Sequence, residues 1–541
     1  MRSLTFNARS KWPLFIVLLL AVIGAGVVYY STSLGPWAND DSAYYFDAAR
    51  NFAAGHGLAN SRPSGRFVPQ YLQPPFYPLV LGFAALAELD LLQTARWLGI
   101  GLFAGIIFLV GCGTLQVTRS PRLALLSAAS LMVNTAMINN YAGAMTEGLF
   151  FMLGFAGIFS LFYHFHKPRA WIALASGLFA GLAFLTRFSG LAFIAAGVFG
   201  LLWLGKQSMI KRLVNVLIYL LPAGLPYLVW TLFLRRTYLD IKPEIFNWHV
   251  KDLWQATLPL RGSLTDSVWN WLGLNFIWED PPYRFKLFGL GLIFLLVLAL
   301  TLFFGLRFVR QHPQDSLIYQ PVVQPGLLWL VFSLVSALIL IFSYIYRVPK
   351  PDLFERILSP IQIGLILAGL ALFEWMAQAR PARRIVLALP WAVGIWIIGI
   401  NLPGSFITAQ TLHQDGRGYT SRAWVTSPII QAVRNLPADT PLISNQPTAI
   451  HFLTGRLTYD MISSLWNAGM NGPGILYGDN GTDPNQVRFR DEHAALVVFD
   501  YGMPTQLQAE NEENTRTLWD LTHGLFEYAH LEDGQIFFYS P

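Results

Sequence analysis

Eleven apolar runs long enough to cross a bilayer constrain this chain more than any other feature. A spanning helix needs about 20 mostly apolar residues, and such runs lie near 13–32, 95–117, 121–140, 147–165, 170–187, 188–205, 213–234, 287–306, 326–346, 357–375 and 385–403. A twelfth piece, FYPLVLGFAALAEL from Phe76, has only the length of an interfacial or half-buried segment. With 54% hydrophobic and 13% charged residues in 541, the chain lies far from the balance of a soluble globular protein. The formal charge of +6 does not point to nucleic acid, because the basic residues sit in small groups between apolar runs. The single cysteine, Cys112, lies within such a run, so neither an intrachain disulfide nor a cysteine metal site can form.

The basic groups set the expected direction of the spans. With eleven crossings and a cytoplasmic N-terminus, the inner loops carry Arg119 and Arg122; Lys167 and Arg169; Lys206, Lys211 and Arg212; Arg307 and Arg310; and Arg380, Arg383 and Arg384. This satisfies the positive-inside rule, and a twelfth crossing would invert it. The first run follows Arg2, Arg9 and Lys11 without a convincing cleavage site and reads as a retained helix. The expectation is therefore a multi-pass protein of the plasma (inner) membrane. Its membrane module spans 1–403, with a first outer loop at 33–94 and a further outer loop at 236–285. Beyond Gly404 the composition turns polar and mixed. TPLIS, ALVVFD and QIFFYS have strand character, whereas SPIIQAVRNL and PTQLQAENEENTRTLWDL have helical character. An extracytoplasmic α/β domain over 404–541 is expected. No internal repeat is visible, which weighs against an inverted-repeat transporter.

The first outer loop opens with ANDDSAYYFDAARNFAAGHGL, Ala38 to Leu58. Asn39, Asp40 and Asp41 are all good N-caps for a helix from about Ser42 to Ala54, and acids favour helix N-termini. A capping acid near the low-dielectric boundary can also serve as a general base or cation ligand. Spacing places Tyr44, Asp47 and Ala48 on one side of that helix and Tyr45, Ala49 and Phe52 on another. Gly55-His56-Gly57 supplies a left-handed C-cap. The prolines of QPPFYP, Gln73 to Pro78, then impose a stiff, extended entry into the short apolar piece.

These residues carry a resemblance. DDSAYYFDAARNFAAGHGL followed by PPFYPLVLG, after one N-terminal span, resembles the first outer loop of the GT-C membrane glycosyltransferases, in particular the dolichyl-phosphate-mannose protein mannosyltransferase and aminoarabinose transferase group. GLAFLTRFSGL, Gly181 to Leu191, and FERILSP, Phe354 to Pro360, match the same group's habits, and the likeness covers roughly 1–400. It implies a polytopic α-helical membrane protein of about eleven spans, GT-C-like, with the C-terminal extracytoplasmic α/β domain. It also implies an inverting enzyme that moves a sugar from a polyprenyl phosphate to an acceptor hydroxyl at the outer face. The family's first-loop acid falls on Asp41 as general base, with Asp40 able to share the role.

The phosphate of such a donor needs cations. Arg187 begins the turn into the sixth span, Arg356 the tenth, and Arg347 and Lys350 lie just before it. An arginine at the membrane edge can bind a phosphate bidentately. It can equally snorkel to headgroups or pair with an acid such as Glu355 or Asp352. Glu147, in AMTEGLF, matches an acidic position often found in the family's second outer loop and could orient the acceptor; it is also an ordinary helix-terminal acid. Tyr44, Tyr45 and His56 are candidates for the sugar or acceptor pocket. Tyr71, Trp248 and Trp278 either join that pocket or sit in the interfacial belt. No metal motif appears at the outer face. Asp40, Asp41 and Glu147 could form a carboxylate cation site, yet no cofactor is expected. The expected partners are a polyprenyl-phosphate-linked sugar, a glycan, lipid or protein acceptor, and the bilayer, with no nucleic acid. The rivals are a transporter or flippase, an oligosaccharide ligase or polymerase, and a non-catalytic receptor.

Overall fold

The computed structural model describes residues 11–539 apart from 72, 238–254, 256, 312–316, 347–352, 380–383, 462–483 and 500–524. It divides into two compact units, one of Met1–Ser31, Tyr71–Tyr77 and Ala95–Thr411, the other of Thr32–Gln70, Pro78–Thr94 and Leu412–Pro541.

The first unit is helical. It begins with α1 (Trp12–Ser31) and continues through α4 (Leu91–Thr118), α5 (Pro121–Met132), α6 (Thr135–Tyr141), α7 (Glu147–His166), α8 (Ala170–Thr186), α9 (Leu191–Phe199) and α10 (Met209–Thr237). Three long helices follow at Tyr283–Gln311, Val323–Tyr346 and Glu355–Ala379, and a last one runs from Arg384 to Gln414. Among the described residues, eight helices are long and apolar enough to cross a membrane, or nine if α5 and α6, bent by 61° at Val133–Asn134, count as one. The other two of the eleven expected runs are helical as well but shorter. The apolar run 170–187 yields 17 helical residues, which rise about 26 Å, somewhat short of a hydrocarbon core of about 30 Å. The run 188–205 is divided into a 3₁₀ turn at Phe188–Gly190, α9, and a π turn at Gly200–Leu204. The piece from Phe76 forms only the 11-residue helix α3 (Phe76–Leu86).

Small residues let these helices approach. In α1, Val17, Ala21, Gly24 and Val28 are buried at intervals of three to four residues. A Cβ on Gly24 would collide with Ile107, and one on Gly111 with Val17, so α1 and α4 meet through two glycines. Gly181 of α8 likewise faces the Pro222 and Ala223 carbonyls of α10, where an added Cβ would lie 2.7 Å from each oxygen. The centre is aromatic: Phe193 stacks on Phe332 with ring centroids 4.2 Å apart, and Phe155 lies 4.5 Å from Trp329.

The second unit holds α2 (Asp40–Ala53), a hairpin of β1 (Ala59–Ser61) and β2 (Phe67–Pro69), and a five-stranded sheet in the order β4-β3-β5-β7-β6. The strands are β3 (Leu442–Ser444), β4 (Thr458–Asp460), β5 (Ala495–Phe499), β6 (Phe526–Leu531) and β7 (Gly534–Phe538). β3 pairs in parallel with β4 and β5; β7 runs antiparallel to β5 and β6. The two-residue period of β5 supplies both faces of the sheet. Ala495, Val497 and Phe499 pack with Ile429, Ile430 and Val433 of the Pro428–Asn435 helix, while Leu496 and Val498 join Ile443 and Phe489. The expected strands in TPLIS, ALVVFD and QIFFYS and the helix in SPIIQAVRNL are all present. The stretch PTQLQAENEENTRTLWDL lies outside the described residues.

Candidate functional site

In the helical unit, two arginines converge on one carboxylate. Glu147 opens α7, where a negative charge is favoured by the helix dipole. Arg187 caps the far end of α8 in an extended conformation, and α7 and α8 are consecutive antiparallel helices, so both residues lie at the same end. Arg187 Nη1 donates to Glu147 Oε1 at 2.6 Å and to Thr146 Oγ1 at 3.0 Å. Arg356, in the first turn of the Glu355–Ala379 helix, brings its Nε within 3.1 Å of the same Glu147 Oε1. That turn is anchored from α6: Asn140 Nδ2 donates to Ser359 Oγ at 3.0 Å, and Ser359 Oγ donates to the Arg356 carbonyl at 2.7 Å.

The Glu147 side chain is 2% exposed, whereas those of Arg187 and Arg356 keep 23% and 18%. Two arginines thus share one buried carboxylate, and each keeps part of its side chain open to its surroundings. Guanidinium groups offer paired donors to an anion. The sequence offered Glu355 or Asp352 as acids with which such arginines could pair; Glu147 is an acid that both Arg187 and Arg356 reach. Arg347, Lys350, Asp352 and Trp248 lie outside the described residues. Trp278 is exposed and Tyr71 half-buried.

In the second unit, α2 starts as its caps dictate. Asn39 is the N-cap, its Oδ1 accepting from Ser42 N at 3.3 Å while Ser42 Oγ accepts from Asn39 N at 3.2 Å. Asp40 and Asp41 both fall in the first turn, Asp40 exposed and Asp41 half-buried. Asp40 Oδ1 accepts a hydrogen bond from the Tyr419 hydroxyl. Tyr44 is half-buried, and Tyr45, only 3% exposed, is part of the packing. Gly55 and Gly57 take positive φ as the C-cap reading requires. His56 between them is exposed and stacks on Phe67 at 4.0 Å.

Asp47, which the sequence placed on a helix face without a role, is the carboxylate that holds α2 to its surroundings. It is 6% exposed and accepts from Ser61 N at 2.6 Å and Ser61 Oγ at 3.0 Å. Asn51 Nδ2 donates to the Ala59 carbonyl at 2.8 Å, and His451 Nε2 lies 3.4 Å from Asp47 Oδ1. Burial alone would raise the Asp47 pKa, but His451 and Ser61 outweigh it and hold the carboxyl below its usual range. Among the described residues no three His, Cys, Asp or Glu side chains are grouped to hold a metal ion.

The chain has the fold of the GT-C membrane glycosyltransferases. Its backbone is similar to that of ArnT from Cupriavidus metallidurans in the apo state, with a TM-score of 0.54 and 12% identity over 96% of this chain and 97% of that one. The same protein bound to undecaprenyl phosphate gives 0.49 and 13% over the same shares. The oligosaccharyltransferase of Archaeoglobus fulgidus in the apo form gives 0.48 and 13% over 91% of this chain and 70% of that one. No protein-family model and no curated protein matches the sequence.

Proposed function

We propose that this chain is an inverting glycosyltransferase that takes a sugar from a polyprenyl phosphate at the outer membrane face and passes it to an acceptor hydroxyl. The convergence of Arg187 and Arg356 on Glu147 is the observation that carries this reading. It gives a headgroup-sized anion two preset guanidinium partners, and the shared fold with apo ArnT supports it. That protein has also been solved bound to undecaprenyl phosphate.

In this mechanism Arg187 and Arg356 hold the donor phosphate, with Lys350 and Arg347 as further candidates. Asp41, with Asp40 beside it, takes the proton of the acceptor hydroxyl as its oxygen attacks the anomeric carbon from the face opposite the phosphate. The bond from the anomeric carbon to the phosphate oxygen breaks, and its electron pair stays on the polyprenyl phosphate. The guanidinium groups stabilise that developing charge. Glu147 keeps the two arginines parallel in purpose by fixing both to one oxygen, and Tyr44 and His56 border the acceptor or sugar. No step calls for a metal ion.

The test is a transfer assay with a panel of polyprenyl-phosphate hexoses and pentoses, comparing wild type with Asp41→Asn. Transfer by the wild type and its loss in the variant is the expected result; undiminished transfer by Asp41→Asn removes the assigned base.

A further inference from the structure

The residues just before α2 are stitched to a turn some 380 positions later in the same unit. Tyr419 N donates to the Ala38 carbonyl at 2.8 Å and Thr420 Oγ1 to the Pro36 carbonyl at 3.0 Å, while Ala38 and Gly418 form a parallel bridge. Arg417 lies over the Trp37 ring at 5.2 Å. Gly418 has no substitute here, since its φ is +59° and any Cβ would run into the Ala38 carbonyl oxygen. The register of this pairing delivers the Tyr419 hydroxyl to Asp40 Oδ1.

The tyrosine ring is itself immobilised. It is 6% exposed, meets Trp424 edge-on at 5.5 Å and Phe452 at 5.6 Å, and Phe452 stacks in turn on Phe46 of α2 at 5.8 Å. Burial, and then the Asp40 charge, push the phenol's ionisation up, so it remains a proton donor across the working range. A ring held on two sides can aim its hydroxyl in only one direction, which is what a precise support for a reacting group requires.

We infer that Tyr419 is a positioning residue: its hydroxyl holds Asp40 in one orientation and, with the Asn39–Ser42 capping box, fixes the turn that presents Asp41. This rests on the glycosyltransferase reading for its kinetic consequence, but not for its structural one. A contact that merely fastens the 416–421 turn would leave the chemistry untouched, and that difference is measurable.

The variant is Tyr419→Phe in the full chain reconstituted in lipid, which keeps the ring packing and removes only the hydroxyl. Loss of a hydrogen bond to a charged carboxylate lowers kcat about 10- to 100-fold with the donor KM unchanged. Adding the change to Asp40→Asn costs nothing further, since the hydroxyl acts through Asp40. Wild-type kcat in Tyr419→Phe overturns the inference, as does a kcat loss fully additive with that of Asp40→Asn. If the wild type transfers no sugar from any donor, it is the glycosyltransferase reading that fails. Backbone amide exchange over Ser42–Phe46 then decides the positioning claim: faster exchange in Tyr419→Phe sustains it, and unchanged exchange refutes it.

Discussion

Glu147→Gln isolates charge from shape at the arginine cluster. Glutamine has nearly the volume of glutamate and keeps an oxygen to accept from Arg187, so packing and one hydrogen bond survive while the counter-charge goes. Removing one partner of a buried ion pair costs about 3–5 kcal/mol because an uncompensated charge is left behind. The arginines here retain 23% and 18% of their side-chain exposure, so solvent screens part of that cost, and a loss of about 2–3 kcal/mol is expected.

The diagnostic step is to add polyprenyl phosphate. A ligand at 100 times its Kd stabilises a folded protein by about 2.7 kcal/mol. If the phosphate is held by Arg187 and Arg356, it supplies the negative charge that Glu147→Gln lacks. A tenfold gain in its affinity for the variant adds about 1.4 kcal/mol to that stabilisation. Thermal unfolding of both proteins, with polyprenyl phosphate and with the corresponding polyprenol as the uncharged control, reads this directly. The expected result is a larger phosphate-specific rise in Tm for the variant than for the wild type. Equal rises, or a rise with the polyprenol alone, would refute phosphate binding at these arginines.

Other perturbations test other links. Asp41→Asn is expected to lower kcat by about 10²- to 10⁴-fold, the ordinary share of a general base, with the protein folded and the donor KM little changed. Arg356→Gln should instead raise the donor KM about tenfold or more, since a charge-assisted bond is lost on binding; an unchanged response to donor concentration would remove its phosphate role. The Asp47 carboxyl is held below its ordinary value of 3.8, so its contribution to stability is present above that value and is lost as pH falls through the lower, folded-state pKa. Amide exchange in the β1–β2 hairpin, corrected for intrinsic rate, should therefore accelerate on acidification below about pH 4 in the wild type, and Asp47→Asn should exchange fast at every pH. Gly181→Ala drives a methyl group toward two α10 carbonyls, and overpacking of this kind costs about 1–3 kcal/mol. A lowered Tm accompanied by weaker donor binding would show that the α8–α10 contact sets the position of Arg187.

What the sequence could and could not convey follows from the range of each interaction. The membrane helices were legible because crossing a bilayer depends on local apolar length; what hydropathy does not show is backbone irregularity within a run, as at Phe188–Gly190 and Gly200–Leu204. The start of α2 was legible for the same reason: Asn39 and Ser42 are three residues apart and satisfy each other. The two candidate clusters, each within its own unit, are built on the opposite principle. Arg187 reaches Glu147 across 40 positions, Asn140 reaches Ser359 across 219, and Tyr419 reaches Asp40 across 379. No periodicity marks such partners, so the sequence could nominate Glu147, Arg187 and Arg356 singly without pairing them, and it gave Tyr419 and His451 no role. The same distance has a functional use. A carboxylate held only by its own helix turn keeps its rotamer freedom, whereas one fixed by a ring that is itself wedged between Trp424 and Phe452 has lost it before any substrate arrives. On the proposed glycosyltransferase reading, Tyr419 is the means by which the polar segment after Gln414 acts on the chemistry of the first loop. The hydroxyl of Tyr419 is the smallest group whose removal can show it.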